Sequence, residues 1–125
     1  MTRRVAVSLP LVAFLAVGAL FSLARSGAGA PPSVGLVEKE FLFTPKDVVV
    51  RWGGGIAFVV KNQGAIEHNF VLEAPGGTTV AQITTIEPGE TGRVTATLPA
   101  GIYTIYCSLP GHRDAGMVAT LRVGP

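Results

Sequence analysis

Four side chains able to hold a soft or borderline metal ion stand in this chain of 125 residues: His68, Cys107, His112 and Met117. Apart from the initiator methionine they are all the His, Cys and Met it has. Three of them share one segment, Cys107-Ser108-Leu109-Pro110-Gly111-His112-Arg113-Asp114-Ala115-Gly116-Met117, while His68 lies far upstream. A thiolate, two imidazoles and a thioether are the donor set of a blue copper site, in which the thioether binds weakly at the axis and tunes the reduction potential. The bland alternative is an inert buried thiol among ordinary core residues, which is what a lone buried Met or Cys usually is. Three soft donors at fixed spacing in one segment argue for a site, and only a fold that gathers distant strands at one pole can bring His68 to it.

The elements that must do this read as strands. From Ser33 onward, β-branched and aromatic residues come in short runs broken by glycine and proline, and no stretch holds a helical period. Strands are expected over Val34 to Phe43, Val48 to Trp52, Ile56 to Asn62, Ile66 to Glu73, Val80 to Ile86, Arg93 to Leu98, Ile102 to Cys107 and Met117 to Val123. Turn signals lie between them, such as Thr44-Pro45, Gly53-Gly54-Gly55, Pro75-Gly76-Gly77 and Pro99-Ala100-Gly101. So many short strands cannot bury both faces of one flat sheet, which predicts an all-β Greek-key sandwich of about eight strands.

Period-two alternation then orients the donors. Met117 shares parity with Ala119, Leu121 and Val123, Cys107 with Ile105 and Tyr103, and His68 with Phe70 and Leu72, leaving Glu67, Asn69 and Glu73 outside. If the last two strands are antiparallel neighbours, Cys107 and Met117 meet at one pole with His112 on the loop between them. His68 joins them only if its strand runs parallel to the last one.

The first thirty residues differ from the rest. Arg3 and Arg4 precede an uncharged run from Val5 to Ala24, long enough as a helix to cross a bilayer core of about 30 Å. Residues 1–25 are therefore read as a signal peptide or membrane anchor forming an N-terminal hydrophobic helix, residues 26–33 as a flexible linker, and residues 34–125 as the folded domain. Ala28-Gly29-Ala30 looks like a cleavage site, but Pro31 follows it directly, and the length of the run favours retention as an anchor. The basic residues on the inner side put the domain on the extracytoplasmic, periplasmic face. Without residues 1–30 the chain keeps seven basic against eight acidic residues, so no basic stripe remains to neutralise phosphates and nucleic acid is not the expected partner. An exported domain with one Cys forms no internal disulfide, which leaves its thiol free, intermolecular or metal-bound.

Two segments, Glu67-His68-Asn69-Phe70-Val71 and Tyr106-Cys107-Ser108-Leu109-Pro110-Gly111-His112 through Gly116-Met117, resemble the cupredoxins, the small blue copper proteins that include plastocyanin, azurin and auracyanin. The Cys-x4-His-x4-Met spacing is more similar to auracyanin-like members than to plastocyanin. The resemblance implies one type 1 copper ion with His68, Cys107 and His112 as equatorial ligands and Met117 as the axial one. It also implies that Asn69 hydrogen-bonds around the Cys107 ligand and its loop, and that Tyr106 lies on an electron route to the surface. An apolar rim of Leu109, Pro110 and Ala115 around His112 would be the docking surface for redox protein partners, with Arg113 and Asp114 a solvated pair beside it.

The function so implied is an exported carrier of single electrons that cycles Cu(I) and Cu(II), expected as a monomer. The alternative is a copper-binding or delivery module with the same ligands and no electron-transfer role. An enzyme on this fold, such as a copper oxidase or nitrite reductase, needs further histidine-rich copper sites. Both histidines here are already used, so catalysis is not expected and no catalytic residue is assigned.

Overall fold

The structure, a computed structural model, describes residues 29–51 and 54–125. The hydrophobic helix and signal or anchor expected over residues 1–25 lie outside the described residues. Among the described ones no helix is long and apolar enough to cross a membrane.

The described chain is all β. Its strands are β1 Ser33–Lys39, β2 Leu42–Thr44, β3 Asp47–Val50, β4 Gly54–Asn62, β5 His68–Glu73, β6 Thr79–Ile86, β7 Thr91–Leu98, β8 Gly101–Tyr106 and β9 Val118–Val123. Two sheets form, ordered β2-β1-β4-β7 and β3-β9-β8-β5-β6. The chain passes to the first sheet for β7 and returns for β8 beside β5, the non-sequential wiring expected of a Greek-key sandwich. Alternation puts Val34 and Leu36 of β1 and Ile56, Phe58 and Val60 of β4 between the sheets, facing Phe70, Leu72, Ile105 and Leu121 of the second sheet. Phe58 and Phe70 meet across the gap with ring centroids 5.3 Å apart, so the two sheets are joined by aromatic packing.

One expected strand, Val34 to Phe43, is two. The chain turns at Glu40 and Phe41, and β2 folds back antiparallel on β1 with Val37 opposite Thr44 and Lys39 opposite Leu42. The turn contains no glycine, proline or asparagine to announce it. What does announce it is that Glu38 and Glu40 continue the inward parity of Val34 and Leu36, which an uninterrupted core strand would not tolerate.

Strand direction settles which ends meet. β5 pairs antiparallel with β8 (Val71 opposite Tyr106), and β8 antiparallel with β9 (Tyr106 opposite Val118), so β5 and β9 run parallel. The start of β5, the end of β8 and the start of β9 therefore lie at one pole.

Candidate metal centre

At that pole the chain places His68 as the first residue of β5, Cys107 just after β8 and Met117 just before β9. All three are fully buried, and His112, on the connecting loop, is half-buried. One donor atom from each of His68, Cys107 and His112 lies within 4.8 Å of the other two. His68 Nδ1 is 3.3 Å from His112 Nδ1, and Cys107 Sγ is 3.4 Å from the same nitrogen. Two imidazole nitrogens and a sulfur thus face a common point, a donor set suited to copper and poorly matched to magnesium or calcium. Met117 is tied to the group through the backbone: its N–H donates to His112 O at 3.1 Å and its carbonyl accepts from Cys107 N at 3.3 Å.

The loop that carries His112 is held by its own backbone. His112 N–H donates to Leu109 O, Ala115 N–H to Gly111 O and Gly116 N–H to Arg113 O, at 3.0 to 3.1 Å. Gly111 and Gly116 have φ of 78° and 104°, conformations that side-chain-bearing residues rarely adopt. The histidine therefore sits on a rigid turn between two strands of a stiff sandwich.

Asn69 fastens this loop to β5. Its Oδ1 accepts from Ser108 N at 2.7 Å, its Nδ2 donates to Ser108 Oγ at 2.9 Å, and its own backbone N–H points at Cys107 Sγ at 3.4 Å. Parity places Asn69 on the outer face, yet it is buried, because the loop after Cys107 folds over that face and covers it. Burial pushes the Cys107 thiol up, opposed by the N–H groups of Asn69 and Leu109. Desolvation pulls the His68 imidazole down. Both shifts favour the neutral forms, a thiol and an imidazole, so a metal held by Cys107 would have to displace the thiol proton.

Three residues make contacts beyond what the sequence predicts. Glu40, at the β1–β2 turn, accepts hydrogen bonds through Oε1 from Ala65 N at 2.7 Å, Ile66 N at 3.1 Å and His68 Nε2 at 3.3 Å. Backbone hydrogen bonds, its own and that of Ile66 first, hold this carboxyl down to about 2. Phe41 packs edge-on against the His112 ring with centroids 4.9 Å apart and is 40% exposed. Around His112 the apolar surface therefore includes Phe41 as well as exposed Pro110 and Ala115, with Leu109 turned partly into the core. Arg113 and Asp114 are both exposed, as expected of a solvated pair, but Arg113 also lays its guanidinium 4.0 Å over the Tyr106 ring and approaches Glu73 Oε2 at 3.7 Å.

The family model for copper binding proteins, plastocyanin/azurin family, matches residues 32–124. Auracyanin-B of Chloroflexus aurantiacus is 30% identical, with 77% of this chain and 50% of that protein covered. The copper-resistant cuproprotein CopI of Rubrivivax gelatinosus is 31% identical, with 65% of this chain and 59% of that protein covered. The chain thus spans between half and three fifths of the length of these relatives. Dithionite-reduced auracyanin from Roseiflexus castenholzii shares the fold at a TM-score of 0.69 and 24% identity, covering 78% of this chain and 100% of that one.

Proposed function

The chain belongs to the plastocyanin/azurin family of copper-binding proteins, and from that premise we propose that it is an exported blue copper protein that carries single electrons between redox partners. The observation that carries this reading is the convergence of His68, Cys107 and His112 donors within 4.8 Å of one another at the pole where Met117 is buried. His68, Cys107, His112 and Met117 would hold the copper, and copper bound there would supply a one-electron couple between Cu(I) and Cu(II). The protein's own part is rigidity. Strand ends fix His68 and Cys107, the bonded turn fixes His112, and Asn69 clamps the turn to β5, so the donors would be held in one arrangement whichever oxidation state is bound. His112, half-exposed within the apolar rim of Phe41, Pro110 and Ala115, is the point of closest approach for a redox protein partner. The leader residues Arg3 to Ala24 support export and attachment to the membrane.

Ligand count stands against an enzyme, because the chain has no further His or Cys with which to build a second copper site. The copper-resistance relative favours a second reading, a module that binds or delivers copper. Repeated reduction and reoxidation with a redox partner separates the two: a carrier keeps its metal through many turnovers, and a delivery module loses it to an acceptor.

Adding Cu(II) to the purified domain tests the proposal. An intense visible thiolate-to-copper band and a narrow copper hyperfine splitting are expected, and a folded protein that shows neither would sink it. Met117→Gln should keep both copper and colour while the reduction potential falls, since an amide oxygen favours the harder Cu(II) ion more than a thioether does. A potential at or above that of the parent would remove Met117 from the set of ligands.

A further inference from the structure

We propose that Glu40 is a positioning residue for the metal centre, fixing the tautomer and orientation of His68 and lowering the reduction potential of the bound copper. The inference rests on His68 being a ligand and goes beyond it to the group behind the ligand. A histidine that binds through Nδ1 must carry its proton on Nε2, and the hydrogen bond made by the far nitrogen selects that tautomer. His68 Nδ1 faces His112 and the Cys107 sulfur, while Nε2 faces Glu40 Oε1. The ring is fully buried and the carboxylate beside it is about one-third exposed, at 34%, so the charge sits at the wall of the site with the imidazole between it and the metal position.

Two features show that the carboxylate is held in place. The same Oε1 takes the N–H groups of Ala65 and Ile66, tying the approach to β5 against the β1–β2 turn. Gly64 makes room for it, since a Cβ there would collide with the Glu40 carboxylate, coming within 2.9 Å of Cδ. A fixed negative charge behind one imidazole raises the basicity of that ligand and stabilises Cu(II) over Cu(I), which moves the potential down.

Three variants separate charge, acceptor and position. Glu40→Gln keeps an oxygen acceptor and removes the charge; it should weaken Cu(II) relative to Cu(I) by about tenfold, a rise in potential of about 59 mV. Glu40→Ala removes the acceptor as well and should move the potential further in the same direction. Gly64→Ala leaves Glu40 in the chain but displaces its carboxylate, and should follow Glu40→Ala. In the metal-free protein, nitrogen shifts of His68 should report the Nε2–H tautomer in the parent and a mixture in Glu40→Ala. Unchanged potentials in Glu40→Gln and Gly64→Ala, or an unchanged His68 tautomer in Glu40→Ala, would overturn the assignment. A parent that forms no blue band would instead overturn the copper reading on which it rests.

Discussion

Cys107→Ser should abolish the visible thiolate-to-copper band completely and weaken copper binding by more than about 100-fold, beyond what loss of a group behind a ligand costs. Cys107 is the only cysteine in the chain, so nothing else can supply a thiolate. It is fully buried, and its sulfur lies 3.4 Å from His112 Nδ1, so the position contributes both softness and charge to the donor set. Serine is nearly the same size but offers a hard, neutral hydroxyl that does not lose its proton near neutral pH. Because Asn69 still clamps Ser108, the loop should keep its path, and the cost to the metal-free fold should stay near about 1–3 kcal/mol for the buried hydroxyl. Optical titration with Cu(II), alongside circular dichroism of the same samples, checks this. A folded variant that kept the band would show that the colour does not come from Cys107.

That prediction was within reach of the sequence because its terms are local. Period two along a strand is set by backbone geometry, so the inward parity of Cys107 and Met117 follows from Ile105 and Tyr103 on one side and Ala119, Leu121 and Val123 on the other. The approach of His68 is different in kind. It depends on β8 lying between β5 and β9, a strand order fixed by packing over long separations and not by any residue near His68. Asn69 shows the limit from another side: β5 is buried on both faces from His68 to Leu72, and alternation carries no information about the loop after Cys107 that covers the outer one at Asn69. Arg113 makes the same point, since its partners Tyr106 and Glu73 belong to β8 and β5 and not to its own loop.

Glu40 and Phe41 are hidden in the sequence because a tight turn without glycine or proline reads as continuous strand. The clue is the appearance of acid at two successive inward positions, Glu38 and Glu40. One of these, Glu40, is at the turn and reaches His68. The other remains in the core, and it leads to a second large effect.

Replacing Glu38 should stabilise the protein, and increasingly so as pH rises. Its side chain points between the sheets and is fully buried, and among the described residues neither carboxyl oxygen has a hydrogen-bond partner. Its neighbours in register are Phe43 on β2, which has no polar group to offer, and Asn62 on β4. The Asn62 amide is already committed: Nδ2 donates to Ile66 O and Ile86 O, and Oδ1 accepts from Gly64 N, each at 2.8 Å. Burial therefore pushes the Glu38 carboxyl up from 4.5 to about 8. Between those two values the unfolded chain has released the proton and the folded chain still holds it. The native state then binds more protons, so stability falls as pH rises through this window and levels off above it. Every tenfold gain in proton affinity on folding is worth about 1.4 kcal/mol, which places the full cost at a few kcal/mol.

Glu38→Gln should flatten the pH dependence but leave an unpartnered amide, so its gain should be the smaller one. Glu38→Met removes the polar group and fills the space, and should gain most. Thermal unfolding of the metal-free protein at acid, neutral and alkaline pH measures the difference. At about pH 5 Glu38→Met should already be the more stable by the cost of burying the unpartnered neutral carboxyl, and by about pH 9 the separation should widen by roughly a further 10 °C or more. A separation that stayed constant with pH would mean that Glu38 does not hold its proton in the folded state. The charge also opposes the Cys107 thiolate, so Glu38→Met should bind copper at alkaline pH at least as tightly as the parent. Weaker binding there would show that the acid is needed at the metal pole in spite of its cost to the fold.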